Sequence, residues 1–228
     1  MSAHSLHLRI LLIITVCLLI SSKPTFSLDT QTKYPNTILV LQKAYQLETE
    51  VVFTYQAYAQ EALLEDSPNI SYLFTTFASS ESIHARNFRQ LLTDMGIEVK
   101  EPPKSEIKVS DTKKNLRSAA DRELQDIDVT YPMFIDQIKP EGYELSLRVF
   151  AYTLESEKQH RDQIEKIRSG TGILFGLLAK VIEGKTKRHF VCQVCGALAD
   201  KLPKDACPIC HTSGSPYREV ERVKQKFP

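Results

Sequence analysis

Two short cysteine pairs near the C-terminus, Cys192-Gln-Val-Cys195-Gly and Cys207-Pro-Ile-Cys210, form C-x-x-C knuckles separated by eleven residues. Four thiolates spaced in this way close one tetrahedral set, suited to Zn²⁺ or to a single iron. Upstream, Glu81-x-x-His84 and Glu157-x-x-His160 each set a carboxylate and an imidazole three residues apart, which is one face of a helix. An S4 site beside a carboxylate–histidine site is the equipment for electron transfer coupled to oxygen chemistry. In an oxidising compartment the knuckles also read as two disulfides. A two-residue spacer serves metals more often than structural bridges.

The elements that must position these groups are helices. Apolar residues recur at spacings of three and four, which predicts the inward face of a bundle helix. The first helix runs from Asn36 or Thr37 to about Leu64, with the stripe Leu41, Ala44, Glu48, Val51, Tyr55, Ala59 and Ala62. The second follows Pro68 and stops at Gly96. The third begins after Asp111 and is interrupted at Pro132. The fourth starts after Gly142 and ends before Gly170. Residues 98–109, with Pro102-Pro103, are long for a tight turn and suit a crossover connection.

Each stripe carries a carboxylate where a hydrocarbon belongs: Glu48, Glu81, Glu123 and Glu157. Burying one ionised carboxylate unpaired costs several kcal/mol, and four aimed at one core repel each other. Two divalent cations carry the charge that offsets them. The pattern is duplicated, since Glu123 and Glu157-x-x-His160 repeat Glu48 and Glu81-x-x-His84 at nearly equal offsets. A Glu from each of two helices, with Glu-x-x-His from the other two, is the ligand set of a ferritin-like dimetal site. Oxygen and imidazole donors suit iron or manganese. Glu50, Glu61 and Glu155 lie off the stripes and read as surface residues, whereas Asp126 stands at the stripe edge, one turn after Glu123.

The fold expected is mainly α, a ferritin-like four-helix bundle over 28–170, then a connecting segment over 171–188. A small β-rich metal-binding domain follows over 189–228 and is too small to fold without its metal. Residues 1–27 read as a signal peptide, or as an N-terminal anchor. Arg9 precedes the apolar run Ile10–Ile20, and Thr25-Phe26-Ser27 is a small-x-small site. That run rises about 16 Å as a helix, half a hydrocarbon core. Export to a periplasmic or extracellular space is therefore expected, with membrane anchoring by the N-terminus as the alternative to cleavage. Cleavage removes Cys17 and leaves the four knuckle cysteines alone. The formal net charge of +1 favours neither nucleic acid nor a membrane surface.

Together the motifs resemble rubrerythrin, a ferritin-like di-iron bundle followed by a rubredoxin-like domain, over residues 36–168 and 188–222. The resemblance implies that Glu48, Glu81, His84, Glu123, Glu157 and His160 bind a di-iron centre, and that Cys192, Cys195, Cys207 and Cys210 hold one Fe (or Zn). The family's further helix-3 Glu is matched here by Asp126, one methylene shorter, which joins the expected metal and catalytic residues. Tyr55 and Tyr131 match tyrosines that hydrogen-bond the carboxylate shell. The implied activity is that of a non-haem di-iron peroxidase. It reduces hydrogen peroxide to water with electrons relayed from the four-cysteine iron site, in oxidative-stress defence. The implied partners are hydrogen peroxide, an electron-donor protein, and a second copy in a head-to-tail homodimer whose relay crosses between subunits. The alternative is a ferritin-like iron oxidation or storage protein with a structural Zn or Fe module built on the four cysteines. Two further readings carry less: a c-type haem at Cys207-x-x-Cys210-His211, and a zinc-ribbon interaction module on a structural bundle. His4, His7 and His189 read as solvated or strand-flanking residues.

Overall fold

The computed structural model describes residues 33–103, 106–168, 188–214 and 216–223. The expected signal segment 1–27 and nearly all of the expected connecting segment 171–188 lie outside the described residues. Among the described residues, no helix is long and apolar enough to cross a membrane.

Helix α1 spans Pro35–Leu64 and buries the predicted stripe, Glu48 included. Pro35 sits in its first turn, where its missing N–H costs nothing. The remaining orphan donors are met from a distance. The Glu141 carboxylate accepts from the backbone N–H of Asn36 and Thr37, both at 2.8 Å. The helix ends in a Schellman turn, with Ser67 N–H on the Ala62 carbonyl and Asp66 at φ 54°. Helix α2, Pro68–Asp94, ends the same way through Gly96 at φ 75°. The three-residue link makes α1 and α2 an antiparallel hairpin.

After the crossover, Asp111 caps α3, Thr112–Gln125, by accepting from Lys114 N–H at 2.9 Å. The predicted interruption at Pro132 falls earlier. A π-turn, Asp126–Thr130, follows α3 directly, and Pro132 lies in the first turn of α4, Tyr131–Ile138. Pro132 has no N–H to give, so the chain changes register just before it: Tyr131 N–H bonds the Asp126 carbonyl, five residues back. A 3₁₀ turn, Lys139–Glu141, and Gly142 at φ 65° lead into α5, Glu144–Arg168.

Two apolar clusters fill the bundle above and below the carboxylates. One holds Tyr55, Phe74 and Phe77, the other Phe88, Tyr131, Phe134 and Phe150. The C-terminal module is a three-stranded antiparallel sheet of β1 (Phe190–Cys192), β2 (Leu198–Ala199) and β3 (Tyr217–Glu219), in the order β2-β1-β3. Its core is Phe190, Tyr217 and the four cysteines.

Candidate metal centres

The four helices deliver the expected ligands to one place. Glu48, Glu81, His84 and Glu157 converge in one group, and Glu81, Glu123, Glu157 and His160 in another, with ligand atoms of each group within 4.8 Å of one another. All six residues are buried to 3% exposure or less. Glu81 and Glu157 belong to both groups, as bridging carboxylates between two cations would. Each imidazole turns its Nδ1 inward. His84 Nδ1 lies 2.8 Å from Glu81 Oε2 and 3.0 Å from Glu157 Oε1. His160 Nδ1 lies 3.0 Å from Glu81 Oε1, 3.1 Å from Glu157 Oε2 and 3.7 Å from Glu123 Oε2.

One ring nitrogen cannot bond three carboxylates. Accordingly Glu81 Oε1, Glu123 Oε2 and Glu157 Oε1 have no hydrogen-bond partner, close as the imidazoles are. Buried, orphaned carboxylate oxygens around an inward nitrogen are a cation cage. The charge balance agrees. Burial, then the fields of Glu81 and Glu157, pushes Glu48 well above the usual carboxylate range. Burial and Glu157 do the same to Glu123. Burial would lower His84, but Glu157 and Glu81 outweigh it and raise it to about 10. Burial would raise Glu157, but His160 and His84 hold it well below the usual range. A cage that protons must neutralise is one in which two divalent cations fit.

The expected tyrosines hold the outer carboxylates. Tyr55 donates to Glu123 Oε1 at 2.5 Å and Tyr131 donates to Glu48 Oε1. Tyr55 is 1% exposed and Tyr131 fully buried. Asp126 differs from the expectation that it is a metal ligand: it belongs to neither group. Its Oδ2 accepts instead from Arg122 Nε at 2.8 Å. Arg122 was invisible to a search for ligands, although its i,i+4 spacing to Asp126 is a helix ion-pair signature.

The cysteines form the second centre. Cys192 Sγ lies 3.8 Å from Cys210 Sγ, and Cys195 Sγ 3.6 Å from Cys207 Sγ; none is in a disulfide. A tetrahedron with metal–sulfur bonds of roughly 2.3 Å has sulfur–sulfur edges of about 3.8 Å, so the four fit one metal. Tyr217 donates to Cys207 Sγ at 3.3 Å. His211, at φ 57°, is not in the four-sulfur group.

The first knuckle sits on α2. Four successive carbonyls are each taken by an α2 side chain: Gln193 by Arg86 at 2.5 Å, Val194 by Asn87 at 2.8 Å, Cys195 by His84 at 3.1 Å and Gly196 by Ser80 at 2.7 Å. Only a donor can face a carbonyl, so His84 carries its proton on Nε2 and leaves Nδ1 free as a ligand. Gly196, at φ 83°, permits the approach. A Cβ there would strike the His84 ring and come within 2.8 Å of Ser80 Oγ. Tyr72 adds a second tie, donating to the Val220 carbonyl at 2.9 Å and accepting from His189 N–H at 3.0 Å. Ser80, Arg86 and Asn87 carry no motif; Ser80 and Asn87 share a face of α2 with His84, and Arg86 reaches the Gln193 carbonyl with its long side chain.

A rubrerythrin family model matches residues 40–168. Rubrerythrin-2 of Clostridium acetobutylicum is 27% identical over 174 residues, 75% of this chain and 89% of its own length. Nigerythrin of Nitratidesulfovibrio vulgaris is 24% identical over 182 residues, 80% of this chain and 85% of its own. Among solved structures, nigerythrin in a mixed-valence state superposes with a TM-score of 0.66 at 23% identity, covering 80% of this chain and 86% of that one. A bacterioferritin of Desulfovibrio desulfuricans superposes at 0.61 with 24% identity, covering 68% and 91%. These two show the same fold. With the ligand cage, the four-cysteine cluster and the family match over most of the bundle, the chain belongs to the rubrerythrin family of di-iron proteins.

Proposed function

We propose that this protein is a non-haem di-iron peroxidase that reduces hydrogen peroxide to water, with electrons supplied by an iron held in the four cysteines. One observation carries the reading. His84 presents Nδ1 to the carboxylate cage while its Nε2–H, 3.1 Å from the Cys195 carbonyl, touches a cysteine of the second centre. A storage protein has no use for such a contact; an electron relay does. When bound, two ferrous ions supply the two electrons that, with two protons, split peroxide into two waters. The protein's part is positional. Tyr55 and Tyr131 hold Glu123 and Glu48 by hydrogen bonds, and the aromatic clusters on either side keep bulk water from the cage. Thiolate ligation suits the relay because the S4 site changes redox state without an open coordination position.

The family resemblance supports a head-to-tail homodimer, in which this contact would pass electrons from the module of one subunit to the bundle of its partner. An electron-donor protein reloads the S4 site, and export is proposed from the N-terminal residues alone. The test is stopped-flow mixing of the reduced protein with peroxide. Oxidation of the bundle iron followed by reoxidation of the S4 iron is expected. Rapid ferrous-iron oxidation with mineral build-up, and no reaction with peroxide, would establish the storage reading instead.

A further inference from the structure

Asp126 opens the π-turn directly after α3, the helix that supplies Glu123, yet its carboxylate bonds Arg122 and belongs to neither ligand group. Such a group has an obvious fate in an iron protein. Ferric iron attracts a nearby carboxylate more strongly than ferrous iron, because the Coulomb term grows with charge. A carboxylate free to turn toward the cage would therefore bind a ferric ion there more tightly than a ferrous one. Here three restraints oppose that movement. The side chain is held by Arg122, whose Nε lies 2.8 Å from Oδ2. Asp126 is 6% exposed and Arg122's side chain only 35%, so this is not a freely solvated surface pair, and breaking it strands a largely buried charge. The backbone is held as well, since the Asp126 carbonyl accepts Tyr131 N–H at the register change that opens the π-turn. The other end of that residue, the Tyr131 hydroxyl, is committed to Glu48. Finally, an aspartate falls short of a glutamate's reach by about 1.5 Å, one C–C bond.

We propose that Arg122 is a positioning residue, a latch that keeps Asp126 out of the metal shell in both the oxidised and the reduced protein. Arg122 also lines a cleft with Tyr55, Tyr58 and Ser118 on the outer side of the bundle site. The ligand set is thereby limited to the four glutamates and two histidines, whatever the oxidation state. The inference rests on the two-iron reading of the bundle and is independent of peroxide turnover.

Mössbauer spectroscopy of protein loaded with isotope-enriched iron, oxidised and then reduced without oxygen, tests it. Asp126→Ala should leave the quadrupole doublets of the bundle irons unchanged in both states. Arg122→Lys, which keeps a cation at the latch, should also match the natural protein. Releasing a longer carboxylate in the double variant Arg122→Gln, Asp126→Glu should produce a new doublet in the oxidised state. A changed spectrum in Asp126→Ala would make Asp126 a ligand and overturn the latch. A double variant that folds, binds two irons and shows the natural spectrum in both states would overturn it as well. If the double variant fails to fold, Asp126→Ala alone decides. A natural protein whose bundle binds no iron pair would overturn the two-iron reading together with the latch.

Discussion

Glu123 and Asp126 stand one turn apart on the same stretch of helix, and the structure separates their roles. Glu123 accepts from Tyr55 and has an orphaned Oε2 turned into the cage, whereas Asp126 is bonded to Arg122. Glu123→Gln should therefore lose bundle metal and Asp126→Asn should keep close to two metals per chain, as read by metal analysis of protein purified without oxygen. Equal loss in both would place Asp126 among the ligands. The buried titrations also set a direction with pH. His84 has its folded pKa raised from 6.5 to about 10, and Asp126 from 3.8 to about 6; Glu48 and Glu123 are raised too. A group raised on folding stabilises fully below its unfolded pKa and loses that contribution as pH climbs through the folded value. The metal-free protein should lose stability from Asp126 between about pH 4 and 6 and from His84 between about 6.5 and 10. Metal binding needs His84, Glu48 and Glu123 deprotonated, so the loaded protein should lose its metals as pH falls. Thermal melts of both forms across this range check the opposite slopes, and parallel slopes would remove the cage from the explanation.

At the scale of elements, α2 is both a ligand helix and a docking rail. Its Ser80, His84 and Asn87 meet three adjacent carbonyls of the knuckle. The fit leaves no room for a Cβ at Gly196. Gly196→Ala should push the knuckle away from His84 and slow electron transfer across that contact. Slow reoxidation of the S4 iron after peroxide, with the bundle iron still oxidised at its natural speed, is the expected record. A natural rate in this variant would remove the His84 contact from the relay. The α3 cap offers a stability measurement apart from the metals. Asp111 meets Lys114 N–H at the start of that helix, and Asp111→Ala should lower the midpoint of urea unfolding.

In the whole molecule, the module depends on its metal more than the bundle does. Its core is Phe190, Ala197, Tyr217 and the four sulfurs, too little apolar surface to hold a fold without cross-links. Cys192→Ser should unfold the module and silence peroxide turnover while leaving the bundle helices and their metals in place, as seen by circular dichroism and metal analysis. The same variant tests where electrons run. A chain lacking the S4 site, mixed and co-refolded with a Glu123→Gln chain lacking the bundle site, should stay inactive if each module serves its own bundle. Recovery of turnover in mixed dimers would put the relay between subunits.

Much of this was legible in the chain alone. The knuckle spacing and the four glutamates on apolar stripes identify two metal centres, because a ligand set is defined by residue type and helical period, both local properties. Helix ends were nearly as plain: Asp111 is a side-chain cap, and Gly96 supplies a left-handed residue where α2 must stop. Other features were settled by packing. Pro132 marks a disturbance in the third helix, but the register change lies before it, because a π-turn takes up the missing donor while the helix runs on. Asp126 has the type and spacing of a ligand, yet it lies outside both ligand groups, its carboxylate bonded to Arg122 one turn away. The contact of His84 with Cys195 joins residues 111 positions apart. No local period records such a distance. It exists because α2 offers donors to the carbonyls of the knuckle loop, and only the folded chain brings the two together.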